Sequence, residues 1–297
     1  MNNQSIIKQT IVGTGLNGLV GSKFVQLFGN QYQFDSLDLR HPTNPIDITD
    51  ENAVNQAISK SSAKVVVHLA AFTNVSAAWE QRADKTGLVY QVNVNGTKNI
   101  IRACEVYGKY LIHISTSYVF DGTNDNLYLE TDTPKPIEWY GETKWLAEEA
   151  IINSKLDWSI LRIDQPFRSD PFEKIDLAHQ IISGLKDNSL KPLFNNHFFG
   201  PTFIDDFAKI IDYFIKHQPQ GIYHATSGEK WTDYDFGQLI KNTHGLSGRI
   251  KVGDLNQYLQ GLDRPYQRNT ALNNQKISNL LDFKLHAIKE AVKQIIC

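Results

Sequence analysis

The sequence predicts an α/β fold: a doubly wound parallel sheet joined to a smaller, discontinuous second lobe. Three observations carry this. Short, nearly continuous apolar runs alternate with helical patterns through the first half of the chain, as expected for parallel strands covered on both faces. A glycine-rich turn separates the first such run from the first helical pattern. Beyond Arg162 the rhythm loosens around Pro166, Pro171, Pro192 and Pro201. Residues 1–162 are therefore expected to form the sheet domain. Residues 163–297 are expected to form mainly the second lobe, with segments returning to the first.

Each element has its own warrant. Ile6 to Val12 reads as a buried strand. Leu19 to Leu27 reads as a helix, with Val20, Phe24 and Leu27 on its apolar stripe. Tyr32 to Leu39 is a second strand. Asp50 is placed to cap a helix carrying Ala53, Val54, Ala57 and Ile58. Lys64 to Leu69 is a third strand. One long helix is expected from about Val92 to Tyr107, then a strand from Tyr110 to Ser115, a helix from Glu138 to Ile152 and a strand from Trp158 to Ile163. Helices near Asp176–Leu185, Asp205–Lys216, Asp233–Asn242 and His286–Ile296 follow.

Composition narrows the function classes. The chain has 297 residues, 41% hydrophobic, and its 30 basic and 32 acidic side chains leave a net charge of −2. That balance excludes a strongly basic nucleic-acid surface as the defining feature. Cys104 and Cys297 are too few for a disulfide framework or a zinc knuckle, which fits a reducing cytoplasm. No apolar run is long enough to span a bilayer, and the first ten residues carry no secretory signal. A cytoplasmic protein without membrane or nucleic-acid partners is expected. The nine histidines have no His-x-x-x-His spacing, so no metal site is expected.

Three motifs carry chemistry. The run Gly15-Leu16-Asn17-Gly18-Leu19-Val20-Gly21 lies between strand and helix. Gly15 suits a tight turn, Gly18 lets backbone approach a pyrophosphate, and Gly21 lets helix and sheet pack closely, while the helix N-terminus offers N–H groups to an anion. Gly15, Asn17, Gly18, Leu19 and Gly21 thus form the expected dinucleotide turn. Asp38 and Arg40 follow the second strand. A carboxylate there can bind the ribose hydroxyls of NAD and an arginine the 2′-phosphate of NADP, so the choice between NAD and NADP stays open. In Tyr140-Gly141-Glu142-Thr143-Lys144 the i, i+4 spacing stacks Tyr140 and Lys144 on one helix face. A lysine beside the phenol is expected to lower its pKa and ready it for proton exchange with a carbonyl.

Together these motifs resemble the extended short-chain dehydrogenase/reductases, and within them the dTDP-4-dehydrorhamnose reductase-like group. The resemblance runs from Ile11 to about Ile296. His68 to Val75 looks like the family segment lying along the cofactor, Asp47-Ile48 like its adenine-side pair, and Asn93 to Thr97 like its Asn-containing helix. Ile114 to Gly122 is similar to the group's STDYVFDG signature, and Glu130 through Pro136 to the run before Tyr140. Gly200-Pro201-Thr202, Ile204-Asp205-Asp206 and Gly221 to His224 resemble its later elements.

The resemblance implies a Rossmann-like cofactor domain and roles by position. Thr116, Tyr140 and Lys144 are the implied catalytic set: Thr116 holds the substrate oxygen, Tyr140 donates the proton, and Lys144 binds the nicotinamide ribose. Cofactor contacts are implied for Asp47, Ile48, Leu69, Ala70, Ala71, Thr73, Asn93, Gln165 and Pro166. Substrate contacts are implied for Thr73, Thr116, Ser117, Tyr118, Val119, Phe120 and Arg264. Two segments depart from the pattern. Ser117 stands where the signature has aspartate, and Arg162 to Arg168 differs from the usual RTSWVYG-like run. No Asp-Glu pair follows Thr116, which argues against dehydration. The implied activity is NAD(P)H-dependent reduction of a nucleotide-activated 4-keto-6-deoxy sugar, by a chain free to form a homodimer. The alternatives are an epimerase of the same superfamily and a non-catalytic NADP-binding subunit like the regulatory partner of methionine adenosyltransferase.

Overall fold

The structure is a computed structural model and describes residues 8–297. Its centre is a six-stranded, wholly parallel sheet: β1 (Gln9–Thr14), β2 (Tyr32–Leu37), β3 (Val65–His68), β4 (Tyr110–Thr116), β5 (Trp158–Ile163) and β6 (Gly221–His224). The spatial order is β6-β5-β4-β3-β1-β2. Chain direction across the sheet therefore reverses between β1 and β3, and the carboxyl ends there open a crevice.

Alternation of side chains sorts the strands onto two cores. Ile11, Val65, Val67 and Ile112 face one side, where α1 (Leu19–Phe28) supplies Phe24 and α6 (Ile204–His217) supplies Phe207, Ile211 and Phe214. Val12, Val66, Leu111 and Ile160 face the other. There α2 (Glu51–Lys60), α3 (Thr97–Tyr107) and α4 (Trp139–Ile152) bring Val54, Ile58, Ile100, Cys104 and Ile151. Both faces are covered, which is why these strands read as unbroken apolar runs. A third core, around Phe167, Ile181, Phe199, Phe236, Ile240 and Ile288, belongs to the second lobe with α5 (Leu177–Lys186) and α7 (Asp233–Thr243). Although they come after residue 162, α6 and β6 pack with the central sheet.

Asp50 caps α2 by accepting from the Ala53 amide at 3.0 Å. Three expected elements differ from the structure. The first strand begins at Gln9; the part expected before residue 8 lies outside the described residues. The long helix is not uniform: Leu88–Tyr90 leads into a π-helical stretch, Gln91–Gly96, before α3. Asn93 explains the wider winding, because its side chain is tied to the Phe72 backbone and to Thr143, and Thr97 donates to the Asn93 carbonyl. The last expected helix shortens to Ile288–Lys293.

Candidate active site

A cleft of about 790 Å³ lies beyond the carboxyl ends of β1 to β5. Its first wall is the glycine turn. Gly15 has φ +67°, and a Cβ there would meet the Ala70 amide nitrogen at 2.7 Å; a Cβ at Gly21 would meet the Gly15 carbonyl oxygen at 2.5 Å. Gly18 begins α1, and no side chain caps the helix. Gly15, Gly18, Leu19 and Gly21 line the cleft, whereas Asn17 sits outside it. The amide of Asn17 donates to Asp38 Oδ2 at 3.1 Å and its carbonyl accepts from Arg40 at 2.5 Å. Asp38 Oδ1 also takes the Arg40 amide at 2.8 Å. Asp38 therefore braces the end of β2, and the Arg40 guanidinium reaches Glu173 at 2.6 Å.

Asp47, Ile48, Leu69, Ala70, Ala71 and Thr73 line the next stretch. A buried relay positions it. The Thr97 hydroxyl donates to the Asn93 carbonyl, so it accepts from His68 Nε2 at 3.0 Å; His68 Nδ1 then accepts from Thr14, whose oxygen holds the Ala70 amide. Asn93 itself is buried and does not line the cleft, and its side chain braces the wall from behind.

Thr116 ends β4, and Tyr140 and Lys144 lie on the first turns of α4; all three line the cleft. Glu138 caps α4 through the Tyr140 and Gly141 amides at 2.8 and 2.6 Å, and burial pushes its carboxyl up to about 7. Gly141 is required here, since a Cβ would strike the Tyr118 carbonyl oxygen. The expected lowering of the Tyr140 pKa is reversed. Burial pushes the phenol up, the neighbouring Thr116 hydroxyl lowers it somewhat, and Glu138 raises it further. Lys144 does not offset this, because its ammonium points to the floor, donating to His113 Nε2 at 3.0 Å and the Ile114 carbonyl at 2.9 Å. Burial lowers Lys144 to about 8.

The substrate end departs from expectation in three ways. Val119 and Phe120 are fully buried away from the cleft; the short turn Ser117–Val119 rotates them into the core, where Phe120 stacks on Tyr128 at 4.2 Å. Arg264 does not line the cleft, but stands 4.9 Å over the ring of Tyr266, which does. Ser117 is buried outside the cleft and donates to Asp164 Oδ1 at 2.8 Å. Asp164 lines the cleft, also takes the Gly200 amide and the Thr270 hydroxyl, and burial raises it to about 6. Tyr118, Gln165 and Pro166 line the cleft, and Gln165 adopts φ +35°.

Sequence reasoning missed the wall that the second lobe supplies: Lys174, Ile175, Asp176, Leu177, Gln180, Asp233 and Tyr266. Asp233 is paired with His197 at 2.6 Å. Only the prolines around residue 171 hinted that a loop crosses there. Among the described residues no cluster of histidine, cysteine, aspartate and glutamate could hold a metal, and no helix is long and apolar enough to cross a membrane.

A strand-end threonine facing a Tyr-x-x-x-Lys helix, beside a glycine turn where the sheet order reverses, places the molecule in the extended short-chain dehydrogenase/reductase class. More narrowly, the chain belongs to the RmlD substrate binding domain family, whose model matches residues 9–297. It is 28% identical over 266 residues to the probable low-salt glycan biosynthesis reductase Agl14 of Haloferax volcanii, covering 86% of each chain. It is 27% identical to the methionine adenosyltransferase 2 subunit beta of Pongo abelii, covering 93% of this chain and 84% of that one. The fold is shared with dTDP-4-dehydrorhamnose reductase from Bacillus anthracis in complex with NADP: TM-score 0.87 at 21% identity, covering 97% of this chain and 99% of that one.

Proposed function

We propose that the chain is an NAD(P)H-dependent reductase of a nucleotide-activated 4-keto-6-deoxy sugar. The observation that carries this reading is the continuity of one cleft from the glycine turn to Thr116, Tyr140 and Lys144. The backbone cradle at Gly15 and Gly18, which side chains would fill, fits a dinucleotide pyrophosphate. A bound nicotinamide supplies the hydride that reduces the carbonyl carbon. Thr116 holds the carbonyl oxygen by its hydroxyl, and Tyr140 delivers the proton to that oxygen as negative charge develops there. The high pKa of the buried phenol keeps that proton in place until then. To bind the nicotinamide ribose and stabilise the tyrosinate left behind, the Lys144 ammonium would turn up from His113 and the Ile114 carbonyl once the cofactor is bound.

The Haloferax relative and the Bacillus protein are both named as reductases, which supports this reading. The complete Thr116–Tyr140–Lys144 set favours it over the non-catalytic role suggested by the methionine adenosyltransferase subunit. The test is NAD(P)H oxidation followed optically with a panel of 4-keto-6-deoxy nucleotide sugars. Stoichiometric oxidation with at least one is expected. Cofactor binding with no oxidation across the panel would overturn the reductase reading.

A further inference from the structure

The segment from Asp170 to Asp176 crosses the mouth of the cleft, and both ends are tied down. Asp170 takes Lys23 at 2.5 Å and Arg168 at 2.8 Å. Asp176 accepts the Arg168 amide at 3.2 Å and caps α5 through the His179 amide at 3.0 Å. Between the anchors, two exposed side chains reach the sheet domain. Glu173 meets Arg40, and Lys174 Nζ donates to Thr73 Oγ1 at 2.6 Å.

Charge makes this crossing informative. A dinucleotide pyrophosphate carries two negative charges, yet Leu16, Asn17, Leu19 and Val20 in the glycine turn carry none. The basic residues lining the cleft are Arg40, Lys144 and Lys174. Lys144 is held on the floor beside Tyr140. Arg40 stands at the end of β2, where an adenosine ribose would lie. Lys174 alone of the three stands over the stretch between them, against Thr73.

We propose that residues 171–175 are a clasp from the second lobe, in which Lys174 leaves Thr73 to donate a charge-assisted hydrogen bond to the cofactor pyrophosphate. The clasp rests on the reading of the cleft as a nicotinamide-dinucleotide site. Calorimetric titration of the full chain with NADH and with NADPH tests it, using Lys174→Met and Lys174→Arg. A charge-assisted bond of this kind corresponds to about 10- to 100-fold in affinity. Lys174→Met is expected to weaken NADH and NADPH by the same factor and to flatten the salt dependence of binding. Lys174→Arg is expected to recover most of the loss. Unchanged melting temperatures confirm that the variants fold. If Lys174→Met binds both cofactors as the parent does, the clasp is wrong and the cofactor site stands. A loss confined to NADPH would place Lys174 on the 2′-phosphate and overturn the pyrophosphate assignment. A parent that binds neither cofactor would remove the functional reading and the clasp together.

Discussion

Replacing Gly18 by valine separates cofactor binding from folding more cleanly than any other change in the glycine turn. Gly18 has φ −85° and ψ 177°, a conformation open to every residue, and a Cβ there meets only the Gly15 carbonyl oxygen, at 3.2 Å. The folding cost is then mainly that of an aliphatic residue at a helix N-cap, about 1 kcal/mol. Gly21 is the contrast. Its Cβ would fall 2.5 Å from the Gly15 oxygen and 2.6 Å from Leu16 Cα, both backbone atoms that cannot swing aside. Overpacking of that kind costs about 1–3 kcal/mol or more. For binding the order reverses, because the new isopropyl group at position 18 occupies the space where pyrophosphate meets the helix N-terminus. Loss of one or two charge-assisted hydrogen bonds, at about 1.5–3 kcal/mol each, predicts at least a tenfold weaker complex. The assay pairs denaturant unfolding with NADPH calorimetry for Gly18→Val and Gly21→Val. A folded Gly18→Val that binds NADPH like the parent, or one destabilised as much as Gly21→Val, would refute the reasoning.

Three more expectations follow from the same geometry. Tyr140→Phe removes the proton donor and should lower single-turnover NAD(P)H oxidation by about 10²–10⁴-fold, with cofactor affinity nearly unchanged; a variant as fast as the parent would remove Tyr140 from the chemistry. Glu148 and Arg162 are buried and joined at 2.6 Å, tying α4 to β5, so Glu148→Leu should cost about 3–5 kcal/mol in denaturant unfolding by stranding the guanidinium; a loss under 1 kcal/mol would contradict this. Burial lowers His68 and His224 to about 3 from an ordinary 6.5. The unfolded chain then binds more protons between those values, so stability should fall as pH drops from 6.5 towards 3, by up to about 1.4 kcal/mol per pH unit per histidine. His224→Asn should have a shallower slope, and parallel slopes would exclude that histidine as a source.

Much of this architecture is written in short-range pattern. Runs such as Val65–Val67 and Leu111–Ile112 are apolar on both faces because helices cover both, and period alone reveals that. The glycine turn is legible because the demands at Gly15 and Gly21 are steric. Rotamers and turns are harder to read. The Tyr140–Lys144 spacing gives a shared helix face, yet not that the lysine would turn down to His113. A three-residue turn after Thr116 carries Val119 and Phe120 into the core, although their neighbour Tyr118 reaches the cleft. Long-range pairing was hidden altogether. Nothing local says that Ser117 would meet a carboxylate from Asp164, 47 residues on, or that Lys174 would cross to Thr73.

The central claim is net hydride transfer with proton delivery from Tyr140. Its most direct test is mass spectrometry of the sugar product after turnover with cofactor deuterated at the transferring position of nicotinamide C4. One deuterium at sugar C4 is expected for each cofactor oxidised, with the parent far faster than Tyr140→Phe. A product epimerised without label or cofactor loss, or no product from any 4-keto nucleotide sugar by a chain that binds the cofactor, would contradict it.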